Sequence, residues 1–499
     1  MVTALTVRHL FMEDSDMKKS IIILLRRILF LAVLVFSLYQ INILLMPKYS
    51  YSNSDWPTTA TFEEFYDMEK NSIDVLFFGS SVAASAFNPQ EIYDHNRIRS
   101  YNLASEQQSL FLSYYWLKEA LSYQSPKVVV TDLKFLFPVH PESPINTTEP
   151  ITRKSLDVMR YSMVKAEAVR NLCALDKTQT ALSYYLTNIR FHSRWSTLDE
   201  QDFTPADYTR SPLKGYAPLS YRGPKDFTPT QFTGSLDTAY CDPLMLDYLG
   251  RMDALCKERG IQLVLTNMAE DGFSEEEHNT IRKFADEHGD LLYDFSEEST
   301  YERVGAQLRM ENIVDHPNLW GSEKLSRFMA DELQQTCHVT GVDDSQWEES
   351  IPFYEHIKKT CYLMQTDDLK EFMTLINDPD YTVMIVAARD GAGTADDNVR
   401  KGMEAMGLND ISSFANQSYI AVVNPDSEPL ELYGDEPLSY SCSLGEGRSV
   451  CSLESAGLNS GGRCCVTIDG KNVVESDAGL HILVYDNIQK KIIDIREAK

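Results

Sequence analysis

Two short stretches carry the residue types that acyl transfer needs. In the first, Gly79-Ser80-Ser81 follows the apolar run 73–78 and precedes the small-residue run Val82-Ala83-Ala84-Ser85-Ala86. A hydroxyl on a sharp strand-to-helix turn is well placed as a nucleophile. The glycine lets the backbone turn, and the first N–H groups of the incoming helix face a developing oxyanion. The same pattern also describes a plain helix cap, since serine commonly closes the first turn in this way. In the second stretch, Val314-Asp315-His316-Pro317-Asn318-Leu319-Trp320-Gly321 leads into a helical pattern over 322–335. An imidazole on such a loop can reach back to a sheet edge and take a proton near neutral pH. Ten histidines are scattered along the chain, so His316 reads equally as an ordinary surface or core residue until the fold places it.

The elements between the two stretches set where they meet. Short apolar runs at 73–78, 101–104, 127–132, 261–266 and 291–295 alternate with helical patterns at 110–121, 244–259, 275–288 and 322–335. Gly260 and Gly289 stand where left-handed C-caps would end two of these helices. Strands alternating with helices of this length predict a parallel sheet with helices on both faces. Ligands bind such sheets at the carboxyl ends of the strands, where Gly79, Ser81, Ala104, Asp132 and Asn267 all fall. Residues 138–240 break the rhythm and read as a long insertion over that edge, a lid or an acceptor-binding surface. Helical pieces are expected within it over 154–172 and 178–191.

The 499 residues exceed what one core holds, so at least two folded units are expected. A net charge of -28 makes the chain a poor partner for nucleic acid or for anionic lipid headgroups. The nine cysteines show no Cys-x-x-Cys spacing, which argues against a metal framework, and no cofactor is expected. Cys442, Cys451, Cys464 and Cys465 cluster near the C-terminus, either as a disulfide-bearing group or as free thiols. Residues 28–46 carry no charge and are long enough to cross a bilayer as one helix. Arg8, Lys18, Lys19, Arg26 and Arg27 precede them, which places residues 1–27 in the cytoplasm and the bulk of the chain outside. The exit at Met46-Pro47-Lys48-Tyr49 lacks a small-residue cleavage pattern, so an uncleaved anchor is expected, followed by a juxtamembrane link over 47–70.

On these motifs, residues 71–336 resemble the SGNH (GDSL-like) hydrolase superfamily. The likeness is to its membrane-anchored Firmicutes branch, related in arrangement to the D-alanyl transfer protein of teichoic acids and to alginate acetyltransferase-like proteins. Gly79-Ser80-Ser81 with Phe87-Asn88-Pro89 matches the first block, Tyr101-Asn102-Leu103-Ala104 falls where the second lies, and His316, Asn318 and Gly321 match the last. His192-Ser193-Arg194-Trp195 resembles an insertion motif of the same branch. The resemblance implies Ser81 as nucleophile and His316 as general base, with Gly79, Ala104 and Asn318 on the oxyanion and substrate side. Three departures stand out. Ile313 occupies the position of the orienting aspartate, which leaves the adjacent Asp315 for that role; no second-block glycine is evident; and Asp132 lies near the place of the oxyanion asparagine.

Residues 381–499, joined through a helical linker over 337–380, resemble the interleukin-like EMT inducer (GG) domain. The matching pieces are the strand 381–390, the helix 397–406, the strand 418–423, the runs 466–471 and 479–486 as paired strands, and a hairpin returning through 490–495. Pattern alone predicts an α+β unit with antiparallel strands. Together the resemblances imply an extracytoplasmic esterase or O-acyltransferase, acting on cell-surface glycan or teichoic-acid-type polymer beside a membrane-bound O-acyltransferase. The alternative is a catalytically inactive SGNH scaffold carrying a carbohydrate- or partner-binding module.

Overall fold

The computed structural model describes residues 2–47, 58–198, 200–203, 212–221, 227–306, 311–425, 427–445, 447 and 449–498; side chains are described from Lys19 onward, except those of residues 58, 200 and 201. Most of the juxtamembrane link, residues 48–57, lies outside the described residues.

The first sheet is built from β1 (Val75–Phe78), β2 (Ser100–Asn102), β3 (Val128–Asp132), β4 (Gln262–Asn267) and β5 (Leu291–Asp294), all parallel, in the order β2-β1-β3-β4-β5. Every residue of β1 and β3 is buried, because helices cover both faces. The two-residue period of β1 divides its side chains between two cores. Leu76 and Phe78 pack with Phe111, Trp116, Tyr248 and Leu249 from the helices Leu110–Ala120 and Pro243–Arg259. Val75 and Phe77 face the opposite layer, with Val82, Ile92, Leu325 and Met329 from the helices Ser81–Ala86, Pro89–Asn96 and Leu319–Gln335. The chain leaves β1 for β2 on one side and then crosses to β3 on the other. A crevice therefore opens at the carboxyl ends of β1 and β3, the topological switch point where ligands enter such sheets.

The insertion is more broken than its sequence pattern predicts. In place of one helix over 154–172 there are two, Glu149–Leu156 and Met163–Leu175, because Ser162 caps the second by accepting from the Lys165 N–H at 3.0 Å. The expected helix over 178–191 is likewise reduced to the short pieces Leu182–Tyr185 and Asn188–Phe191. Further on, the insertion is built into the sheet's rim: the Lys214 carbonyl accepts from Asn102 N–H at 2.9 Å, and Ala217 N–H donates to the Ala84 carbonyl at 2.9 Å.

The C-terminal region holds two antiparallel sheets. One runs β14 (Lys491–Ala498), β13 (Gly479–Asp486), β6 (Tyr381–Ala388), β7 (Ser418–Val423) and β8 (Leu430–Gly434). The other runs β12 (Lys471–Ser476), β11 (Cys464–Ile468), β10 (Ser449–Ser455) and β9 (Leu438–Leu444). Met384, Val386, Ile420 and Leu483 from the first sheet meet Cys451, Leu453, Cys464 and Val466 from the second. Val383, Ile385, Ala421 and Ile482 on the reverse face pack under the helices Leu369–Ile376 and Asp397–Ala405. The runs 466–471 and 479–486 are not partners, contrary to expectation. β13 pairs with β6 and β14, whereas 466–471 straddles a turn in which Asp469 (φ 50°) and Gly470 (φ 75°) fold β11 back onto β12. All nine cysteines are free thiols, with Cys442 and Cys451 opposite one another on β9 and β10.

The segment expected as a linker is packed on both sides. Tyr354 and Ile357 of the helix Ile351–Gln365 join a cluster with Leu213, Tyr216 and Leu319, while Leu363 enters the core of the C-terminal sheets. At the other end of the chain, the helix Val2–Leu45 contains one apolar stretch, Lys19–Leu45, long and apolar enough to span a membrane.

Candidate active site

Ser81 opens the helix Ser81–Ala86, and the preceding Ser80 caps it, its hydroxyl accepting from Val82 N–H at 3.4 Å. The cap reading of this pair of serines therefore holds for Ser80. Gly79 makes the turn possible: it sits at φ 147°, and a Cβ there would lie 2.6 Å from the Asp132 Cβ. Asn102, buried at the end of β2, ties the loop to the helix Ser81–Ala86. Its amide donates to the carbonyls of Ala83 at 2.9 Å and Phe87 at 2.8 Å.

His316 comes from 235 residues further along the chain, and its Nε2 lies 2.8 Å from Ser81 Oγ, at hydrogen-bond distance. Its loop is held by a small polar frame. The His316 carbonyl accepts from Asn312 Nδ2 at 3.1 Å and from the Tyr221 hydroxyl. Asn312 also donates to the Val314 carbonyl at 2.9 Å. Gly321 closes against the same frame so tightly that a Cβ there would fall 1.9 Å from the Asn312 carbonyl oxygen.

Two residues expected on the oxyanion and substrate side, Asn318 and Ala104, and the expected orienter, Asp315, make bonds within the protein. Asn318 is the N-cap of the helix Leu319–Gln335: its Oδ1 accepts from Gly321 N–H at 2.9 Å and Asn312 N–H at 3.0 Å, and its amide donates to the Tyr221 carbonyl at 3.0 Å. Asparagine is among the best caps, and the residue is fully buried in that role. Ala104, expected to lend its N–H to an oxyanion, donates it to Asn102 Oδ1 at 3.0 Å. Asp315 adopts a left-handed backbone (φ 62°), and its carboxylate ion-pairs with Lys134 Nζ at 3.6 Å. Lys134 in turn pairs with Glu270 at 3.1 Å.

Sequence reasoning did not pick out Asn312, Tyr221 or Lys134. Asn312 lies four residues before His316 and carried no motif, and Tyr221 lies in an insertion without periodicity, so neither gave a signal.

Asp132, at the carboxyl end of β3, accepts from the Ser80 hydroxyl at 3.2 Å. Burial pushes its carboxyl up to about 6, against the opposing pull of Lys134 and the Ser80 hydrogen bonds. An aspartate in the unfolded chain titrates near ~3.9, so the folded state holds this proton more tightly. This group therefore carries no penalty below about pH 4 and penalises folding progressively as the pH rises to about 6, by roughly 3 kcal/mol at full ionisation. Asp132→Asn cannot ionise. Thermal melts between pH 4 and 8 should show the wild type losing ground to this variant as the pH rises; parallel curves would refute a buried, proton-holding Asp132.

Among the described residues, one set has metal-ligand character: Asp253, His288 and Asp290. It lies at the amino end of β5, away from Ser81, and Asp253 is already paired with Lys257 at 2.8 Å and His288 at 2.7 Å. Protein-family models and curated protein sequences give no match to this chain.

Proposed function

We propose that the chain is a membrane-anchored, extracytoplasmic esterase or O-acyltransferase of SGNH type, acting on cell-surface glycan or teichoic-acid-type polymer. The observation that carries this reading is the 2.8 Å contact between Ser81 Oγ and His316 Nε2 at the switch point of a parallel sheet. Ser81 Oγ attacks the carbonyl carbon of an ester while His316 Nε2 takes the hydroxyl proton. The tetrahedral intermediate collapses, the C–O bond to the leaving alcohol breaks, and His316 returns the proton to that alcohol. The acyl group, now an ester on Ser81, passes to water or to a glycan hydroxyl by the reverse sequence.

The apolar helix segment Lys19–Leu45 serves as the anchor, with the basic N-terminus in the cytoplasm and the bulk of the chain outside. A membrane-bound O-acyltransferase is the fitting source of acyl groups, and the C-terminal sheets are the fitting module for glycan or partner binding. The Ala104 N–H committed to Asn102 and the Asp315 carboxylate paired with Lys134 favour a second reading, an inactive scaffold with a recognition module.

Pre-steady-state cleavage of aryl acetate and aminoacyl esters by the full chain in detergent separates the two. A burst of released alcohol equal to one per protein molecule marks the acyl-enzyme. Absence of both burst and turnover with every ester would leave the scaffold reading.

A further inference from the structure

The insertion gathers around the end of the apolar helix. Asn188 N–H donates to Asn42 Oδ1 at 2.9 Å, and the Arg194 guanidinium donates to the Leu45 carbonyl at 2.9 Å while pairing with Asp202 at 2.8 Å. These contacts join the short helices Asn188–Phe191 and His192–Ser196 to the last turn of the helix Val2–Leu45. A span ending at Leu45 puts Asn42–Leu45 at the bilayer boundary, so whatever is bonded to those residues lies at the same level.

The same short elements present large apolar side chains to the outside. Leu182, Leu186 and Ile189 are exposed, as are Trp195 (75%) and Phe203 (65%). A polar protein surface does not normally concentrate such residues within about twenty positions, and a patch of this kind marks an interaction site. Its amphipathic aromatic, Trp195, is of the type enriched where chains meet the headgroup region.

We propose that residues 182–198 and 200–203 form a collar that docks into the membrane interface around the anchor helix, with Leu182, Leu186, Ile189, Trp195 and Phe203 seated among the lipid headgroups and upper acyl chains. The occupant of the patch is lipid, because the patch is continuous with the helix surface that a bilayer must cover. The collar fixes the catalytic domain's orientation: Arg190 pairs with Glu149 at 2.5 Å and Arg153 donates to the Ser183 carbonyl at 3.1 Å, and their helix Glu149–Leu156 is bonded through Ser155 to Trp116 of the helix Leu110–Ala120 at 2.8 Å, so docking holds the domain at a set height above the lipid. This inference rests on the anchor reading of Lys19–Leu45.

The test uses the full chain reconstituted into phosphatidylcholine–phosphatidylglycerol vesicles whose lipids are brominated near the top of the acyl chains. Retention after an alkaline carbonate wash reports on the anchor alone. Subtracting the fluorescence of Trp195→Phe, an exposed position whose loss leaves the core intact, isolates the Trp195 signal. With the protein retained, the Trp195 component is expected to lose most of its intensity to the bromolipid and to be shielded from aqueous iodide. Retention with a Trp195 signal open to iodide and untouched by bromolipid would overturn the collar and leave the patch to a protein partner. Failure of retention would overturn the anchor and the collar together.

Discussion

Replacing Ser81 with alanine is expected to lower ester cleavage by about 10³-fold or more, and His316→Ala to do the same. The hydroxyl and the imidazole lie 2.8 Å apart, and in the proposed mechanism they form one unit, so removing either should disable the same step. For that reason Ser81→Ala/His316→Ala should be no slower than the worse single variant; losses that multiplied would show that the residues act independently. The folds of the variants should survive. The His316 loop is held by its backbone carbonyl, bonded to Asn312 and Tyr221, and by the Asn318 cap rather than by the imidazole alone. Steady-state rates with an aryl ester, with melting curves for each variant, check both statements.

His356→Ala should cost about 3–5 kcal/mol of stability, concentrated where the helix Ile351–Gln365 meets the C-terminal sheets. His356 Nε2 lies 2.7 Å from Asp486 Oδ2 and its Nδ1 3.2 Å from Asp380 Oδ2, with Asp486 fully buried. Removing the imidazole takes away that carboxylate's closest cation, leaving Gln489 and Thr360 donating to the same oxygen and the N–H groups of Ile488 and Gln489 to the other. Burial alone would push the His356 imidazolium down, but the hydrogen bond and charge of Asp486, then Asp380, outweigh it and raise the group above its usual range. Burial likewise opposes ionisation of Asp486, and the bond and charge of His356 hold its carboxyl low.

The signs define a window. The histidine's contribution is complete below its ordinary value near ~6.5 and fades as the pH rises through the raised folded value. The aspartate's is complete above ~3.9 and fades as the pH falls through the lowered one. The docking is therefore strongest between those two ordinary values. Denaturant melts of wild type and His356→Ala from pH 4 to 9 should converge toward alkaline pH; a constant gap would refute the charged pair.

The alternation of apolar runs and helical patterns was enough to read the parallel sheet, since buried strands announce themselves by continuous Val, Leu and Phe. Gly79-Ser80-Ser81 and His316 could be singled out because a turn glycine and a loop histidine are unusual against that background. The C-terminal sheets were less legible. β8, β9 and β10 bury only part of each side-chain row, and β9 mixes serine and cysteine with leucine and tyrosine, so no continuous apolar signal marks them. The frame around His316 was hidden for a different reason. Tyr221 reaches the loop across 95 residues, and Asn312 works through carbonyls, contacts that no local pattern encodes. The cap at Asn318 and the Asx-type bond at Ala104 could not be read beforehand, because they use the same atoms that a substrate would.

The central claim is that Ser81 is an activated nucleophile. Its most direct test is peptide mass spectrometry of the folded full chain after treatment with a fluorophosphonate. The expected result is one adduct, fragmenting to Ser81 rather than Ser80, and absent when the protein is denatured before treatment. A folded wild type that takes up no adduct, or takes it elsewhere, would contradict the account.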